Sequence, residues 1–401
     1  MRSVYFALVK LLSLSGRADA LKPSPTLSIT AKANQMKADG VDVVSFAAGE
    51  PDFNTPEPIV EAAIDALHKG FTKYTPSSGI KELKEVVAAK LLRENRVTVS
   101  PDQIVASCGA KQSVYNSMQV LLDAGDEVIL FAPSWLTYAE QVRLAGGVPV
   151  VVHTSGDHGF IPDLDAVKAA ITPRTKAMIL NSPSNPTGAV FPRETLVAIA
   201  SLAVEHGLWV VADEIYERLV YGVEHVSLAS LGSEIAAQTI TIGGVSKSYA
   251  MTGWRLGWAA APLAIAKAMS NFQDQVTSNP TSFVQKGAVA AYNLPAESVE
   301  KMRAEFEARR DLIVGALKAI PNVKIPVPGG AFYAFADFSA YLRDGEDDLA
   351  LAAYLLQEAQ VATVPGSVFE GPGYLRLSYA ASRHDIERGV ARIAEALAKR
   401  A

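Results

Sequence analysis

The sequence predicts an α/β fold: a mainly parallel sheet flanked by helices. Three observations predict it. Apolar runs of strand length alternate with helix-like stretches through the middle of the chain, the pattern that βαβ units leave in a sequence. Of the 401 residues, 49% are hydrophobic and 20% charged, which suits a globular protein with a large core. Polar clusters carrying Asn, Asp or Lys each follow directly on an apolar run. In open α/β sheets that carboxyl edge is where ligands bind.

The elements follow in order. Met1 to Leu12 is apolar with Arg2 and Lys10, faintly like a signal peptide. Its longest uncharged run, Ser3 to Val9, is short for such a segment, and Lys10 interrupts it. Residues 1–13 are therefore read as an N-terminal extension. Helical patterns include Pro58 to Lys69, Gly79 to Asn95, Lys111 to Leu122 and Tyr138 to Ala145. Strand-like runs are Gln103 to Ser107, Glu127 to Phe131, Val148 to Val152, Ala177 to Leu180, Leu208 to Ala212, Thr239 to Ile242 and Leu256 to Ala261. A long charged, amphipathic helix runs from Ala296 to Ile320. A β-containing segment follows (Ala331 to Phe335, then Tyr374 to Tyr379), and a last helix starts at Arg383.

Composition excludes several functions. A net charge of −5 without a basic stripe speaks against nucleic acid. No uncharged apolar stretch reaches the ~18 residues that span a bilayer, so no membrane partner is expected. The one cysteine, Cys108, rules out an intramolecular disulfide and a Cys-rich metal site. That usage fits a reducing, cytoplasmic setting. The six histidines include no His-x-x-x-His pair, so no metal is expected.

Lys247 is the most informative residue. It lies in Ser246-Lys247-Ser248-Tyr249, on a loop between two apolar strands, with neither neighbour charged. An ammonium buried without a partner is costly, so such a lysine shifts its pKa or bonds covalently. A Schiff base to an aldehyde cofactor meets that need. Upstream lie Asn181-Ser182-Pro183-Ser184-Asn185-Pro186-Thr187-Gly188 and Asp213-Glu214-Ile215-Tyr216, each after an apolar run. A pyridine cofactor needs an anion at its ring nitrogen, donors at its phenolate oxygen, an amine for its aldehyde and a nest for its phosphate. Asp213, Asn185 with Tyr216, Lys247, and Arg255 with the helix start Gly109-Ala110-Lys111 supply these in turn. Arg376 sits amid apolar residues in a strand-like run, and its planar fork suits a carboxylate. Each residue also has a plainer reading. Lys247 could be a surface lysine, Asp213 a helix cap, Asn185 a turn residue before Pro186, Trp135 a packing residue and Arg376 an edge-strand residue facing water.

The blocks Ala48-Gly49-Glu50-Pro51-Asp52-Phe53, Lys73-Tyr74-Thr75-Pro76, Gly109-Ala110-Lys111-Gln112, Asn185-Pro186-Thr187-Gly188, Asp213-Glu214-Ile215-Tyr216, the Lys247 loop and Leu375-Arg376-Leu377-Ser378-Tyr379 stand in fixed order. With them the chain resembles the pyridoxal 5′-phosphate aminotransferases of fold type I. Within the aspartate aminotransferase family it resembles the bacterial Ib branch of aspartate and prephenate aminotransferases. The likeness runs from about Leu14 to the C-terminus. It implies a large cofactor-binding domain over residues 59–299 with a seven-stranded sheet. It also implies a small α+β domain from residues 14–58 and 300–401. The implied activity is ping-pong transfer of an amino group between L-aspartate or L-glutamate and a 2-oxo acid such as 2-oxoglutarate. Prephenate and aromatic substrates, and lyases of the same fold and cofactor, are alternatives. A cofactor-sensing regulator would need a DNA-binding module ahead of the matched region.

The resemblance also implies residue roles. Lys247 would hold the cofactor and move the proton between Cα and C4′. Asp213 would pair with the pyridine nitrogen, and Tyr216 and Asn185 would donate to O3′. Gly109, Ala110, Lys111, Ser246 and Arg255 would hold the phosphate, joined by Tyr74 from the neighbouring subunit of a homodimer. Trp135 would stack on the ring. Gly49, Trp135, Asn185 and Arg376 would bind the substrate near its α-carboxylate, with Lys111 and Lys22 at a distal carboxylate. One departure stands out: Gly244 occupies the position, three before the lysine, where many relatives carry a hydroxyl.

Overall fold

A computed structural model describes residues 14–21 and 25–400. The extension read at residues 1–13, and Lys22, lie outside them. The strands in chain order are β1 (Val44–Ser45), β2 (Ile104–Ser107), β3 (Glu127–Ala132), β4 (Val148–His153), β5 (Thr175–Asn181), β6 (Trp209–Asp213), β7 (Thr239–Gly244), β8 (Gly257–Ala260), β9 (Tyr333–Asp337), β10 (Val361–Ala362), β11 (Val364–Pro365) and β12 (Tyr374–Ser378).

Seven of them form one sheet in the order β2-β8-β7-β6-β5-β3-β4. The neighbours from β7 to β4 pair in parallel, while β8 is antiparallel to both β2 and β7. Only β8 therefore runs against the rest. Every residue of β2, β3 and β8 is buried, and β4 at the edge is largely not. Strands covered on both faces read as unbroken apolar runs, which is why the sequence shows them clearly.

Helices cover the faces. The helix Arg193–Glu205 joins β5 to β6 and buries Leu196, Ile199, Ala200 and Ala203. That i, i+3, i+4, i+7 stripe packs with Met178 and Val210 of the sheet. Each Leu or Ile so buried stabilises by about 1.5–3 kcal/mol.

A second core gathers the chain's distant parts. Val44 and Phe46 pack with Phe306, Ile313, Phe332, Leu377 and Ile393. β1 pairs in parallel with β10, and β11-β12-β9 form an antiparallel sheet with β12 in the middle. Arg376 thus lies on a central strand, which removes its edge-strand reading.

Two sequence expectations shift. Asn181, Asp213 and Gly244 close their strands rather than opening the loops beyond. The helix expected from Gly79 begins at Lys81 and ends in a π-turn over Leu91–Asn95. Arg96 then turns left-handed at φ 58°. Asn95 is thereby buried instead of ending a solvated helix.

Candidate active site

The carboxyl ends of β2, β3, β5, β6 and β7 lie along one edge of the sheet. Because β8 is reversed, its amino end lies there too. That single reversal sets Arg255, two residues before β8, beside the helix that follows β2. A Cβ on Gly109 (φ +87°) would stand 2.6 Å from Arg255 Nη2, and one on Gly257 would stand 2.2 Å from the Ala110 nitrogen. Glycine is what lets these pieces approach so closely. No side chain caps the start of the helix Ala110–Leu121, and of its first-turn N–H groups that of Gln112 bonds the Gly109 carbonyl at 2.9 Å. Arg255 Nη1 donates to the Thr252 carbonyl at 2.8 Å, which fixes the guanidinium next to them.

Asp213 closes β6 at 3% exposure. The Tyr138 hydroxyl donates to its Oδ2 at 2.7 Å, and the Ile215 N–H to its Oδ1 at 3.2 Å. Burial pushes the Asp213 carboxyl up to about 6, against those two hydrogen bonds; the nearby Glu214 adds to the rise and Lys247 opposes it. Asn181 ties the strand ends together. It donates to the Asp213 carbonyl at 2.9 Å and accepts from the Asn185 N–H at 2.8 Å. The Tyr216 hydroxyl shares a 2.9 Å hydrogen bond with that of Tyr333.

Lys247 is half-buried, and its Nζ donates to the Gly49 carbonyl at 2.6 Å. Burial pulls its pKa down to about 8; Glu50 works against this, Arg376 and Arg255 lower it further, and Asp213 raises it. A lysine so shifted offers more free amine near neutral pH than an ordinary one, as a nucleophile requires.

Arg376 is 2% exposed. It donates from Nη1 to Asn185 Oδ1 at 3.0 Å and from Nη2 to the Ala47 carbonyl at 3.1 Å. The rings of Tyr333 and Phe369 lie 4.5 and 5.0 Å from the guanidinium. Its buried Nε–H has no acceptor among the described residues. With Oδ1 taken by Arg376, Asn185 keeps its amide N–H groups for a ligand. Lys111 Nζ lies 4.9 Å from the Trp135 ring centre. Desolvation, then the charge of Arg255, lowers the Lys111 pKa.

One cavity of about 500 Å³ brings these groups together. Gly49, Ala110, Lys111, Trp135, Asn185 and Asp213 line it, with Tyr216, Ser246, Lys247, Arg255 and Arg376. Gly109 sits behind Arg255. Its size is in the range of small-molecule sites.

The family profile "Aminotransferase class I and II" matches residues 41–393. The chain belongs to this aminotransferase family. It is 50% identical over 387 residues to the probable aspartate/prephenate aminotransferase of Aquifex aeolicus, covering 96% of this chain and 98% of that one. It is 49% identical to the aspartate aminotransferase of Bacillus sp. (strain YM-2), covering 95% of this chain and 98% of the relative. The solved structure of Thermus thermophilus aspartate aminotransferase with maleate superposes with a TM-score of 0.92 at 44% identity. That match covers 96% of this chain and 100% of the other.

This aminotransferase is pyridoxal-phosphate-dependent, and its residues fit that group. The glycine cradle at Gly109 and Gly257 opens backbone donors beside a guanidinium, as a phosphate needs. A buried, proton-hungry carboxyl at Asp213 suits a pyridinium.

Sequence reasoning missed several contributors. Tyr138, Tyr333, Phe369 and Asn181 brace the site, and the aromatic ones read as core. Tyr138 carried one signal: it lies three residues after Trp135, and their rings meet edge to face at 5.3 Å. Tyr74 is 91% exposed and is absent from the cavity lining within its own chain. Ser246 lines the cavity, and its hydroxyl has no hydrogen-bond partner among the described residues. Histidine spacing could not sense Glu214, Glu217 and His225, whose ligand-type atoms lie within 4.8 Å of one another. That set already has a cation: the fully buried Lys90 ammonium bonds Glu217 and, at 2.7 Å, Asn95 Oδ1.

Proposed function

We propose that this aminotransferase moves the amino group between L-aspartate or L-glutamate and a 2-oxo acid such as 2-oxoglutarate, by a ping-pong route. One observation carries the reading: Arg376 and Lys111 are two cationic side chains in the cavity that also holds the Lys247 amine. Arg376, with its idle Nε–H, suits an α-carboxylate. Lys111 suits the distal carboxylate, with Lys22 as a second cation there. The names of the Aquifex and Bacillus relatives support the same donor.

The residue roles follow from the chemistry. When bound, pyridoxal 5′-phosphate supplies an aldehyde and an electron-withdrawing ring that eases loss of the Cα proton. Asp213 carries the charge that keeps the ring nitrogen protonated, and Tyr138 orients it. Asn185 and Tyr216 donate to the ring's O3′. Trp135 covers one ring face and excludes water. Gly109, Ala110, Lys111, Ser246 and Arg255 hold the phosphate. Lys247 is the attachment point and the base that takes and returns the proton at Cα. The Gly49 N–H joins Arg376 at the α-carboxylate.

The working unit is a homodimer in which Tyr74, exposed here, reaches the neighbouring active site. Residues 59–299 form the large domain, and residues 14–58 with 300–401 form the small one. The joint core of Val44 and Phe46 with C-terminal elements supports that division. Among the described residues, no helix is long and apolar enough to cross a membrane. The cytoplasm is the proposed location.

Single-turnover assays with aspartate, glutamate, phenylalanine, and prephenate plus donor test the reading. Either dicarboxylic amino acid should convert the bound cofactor. Failure of both would defeat it. The Aquifex relative's name supports prephenate as a second acceptor, and amination of prephenate by aspartate or glutamate would establish it.

A further inference from the structure

Two segments far apart in sequence meet at the amine. The Gly49 carbonyl accepts from Lys247 Nζ at 2.6 Å. The next residue, Glu50, accepts through Oε2 from the Thr252 hydroxyl at 2.7 Å. Nearby, the Thr55 hydroxyl donates to the Ala250 carbonyl at 2.7 Å, and Trp254 Nε1 donates to Thr55 Oγ1 at 3.0 Å. Residues 49–55 are thus stitched to the Lys247 loop along its length.

Glu50 lines the cavity with Lys247, Thr252 and Arg255, and no role given above uses it. The charged and titratable groups around the Lys247 nitrogen are Glu50, Asp213, Arg255, Arg376 and Tyr216. Two are cations that disfavour a proton on the amine. Of the two carboxylates, Asp213 is hydrogen-bonded by Tyr138 and Ile215 and is assigned to the ring nitrogen. Glu50 is the anion left for the amine.

We propose that Glu50, held by the Thr252 hydroxyl, is the counter-charge of the Lys247 nitrogen and sets the pH at which that nitrogen loses its proton. This rests on the reading of Lys247 as the cofactor amine. Glu50 is a positioning residue: it acts through Lys247 and needs no contact with substrate. The direction agrees with the electrostatics, in which Glu50 heads the influences that favour the Lys247 proton against burial. The Thr252 hydroxyl is what holds that carboxylate in place. An exposed carboxylate left to rotate would be solvated and screened.

The test is a pH titration of the holoenzyme's visible absorbance without substrate, for the parent, Glu50→Gln, Glu50→Asp and Thr252→Val. Removing an opposite charge near a cation lowers its pKa, so Glu50→Gln should move the midpoint down by about half to one pH unit, at the low end of one-charge effects because the site is part-solvated. Thr252→Val should move it the same way by less, and Glu50→Asp should stay nearer the parent. A merely structural role would change cofactor loading or melting and leave the midpoint alone. A loaded Glu50→Gln protein titrating with the parent's midpoint overturns the proposal. Should that variant not fold, an unmoved midpoint in Thr252→Val overturns it equally. Borohydride trapping of the cofactor on a peptide without Lys247 would remove the underlying reading as well, and is told apart by that mapping.

Discussion

Asp213→Asn in the cofactor-free protein tests the electrostatics of the site most directly. The buried carboxyl titrates at about 6 instead of its ordinary 3.8. At about 1.4 kcal/mol per pH unit, ionising it in the fold costs about 3 kcal/mol. The folded protein holds this proton more tightly than the unfolded chain does. The stability so gained is fully present below the ordinary 3.8 and is lost as pH rises through about 6. Asparagine never ionises and keeps an oxygen for the Ile215 N–H, and the Tyr138 hydroxyl can turn to meet it. The variant should therefore melt higher than the parent near pH ~8 and with it near pH ~4, a contrast set by the titration window. Thermal unfolding of both stripped proteins at the two pH values is the assay. Equal differences at both, or a variant weaker at the higher pH, would refute the reasoning. The same variant should hold the cofactor poorly, because its ring nitrogen loses its counter-ion.

Tyr138→Phe removes a hydrogen bond that holds the Asp213 carboxyl down. Its melting should stay pH-dependent to a higher pH than the parent's, and cofactor should dissociate about tenfold faster, the worth of one bond to a charged group. Lys111→Gln should lower kcat/KM for aspartate on the order of ten- to a hundredfold and change phenylalanine far less, read by steady-state kinetics with each donor. Lys90→Met leaves the part-buried Glu217 without its ammonium and should destabilise by about 3 kcal/mol in urea unfolding, the low end for breaking a buried pair. Lys90→Met with Glu217→Met should recover most of that loss.

The sheet was legible because strands buried on both faces must be apolar throughout. The candidate site residues, which the structure gathers around one cavity, were legible because polar side chains cluster just beyond such strands. The direction of β8 was not, since local pattern carries no record of which neighbour a strand pairs with. Lys90 shows the limit on charges. In a helical stretch full of Lys and Glu it reads as solvated, yet its partner Glu217 lies 127 residues away. Glu50 is similar, with its threonine 202 residues off. Tyr138 and Tyr333 were hidden by their own chemistry, because a tyrosine looks like core until its hydroxyl is seen to meet a site residue, Asp213 for Tyr138 and Tyr216 for Tyr333.

The lone reversed strand has a geometric consequence. It folds the chain back within one hairpin, so the proposed attachment amine and the proposed phosphate guanidinium ride on the same ribbon, eight positions apart. Their separation is fixed by the local backbone of that ribbon. Lengthening that ribbon by one residue would misplace both handles at once, whereas the edge beyond β4 could accept insertions without disturbing either.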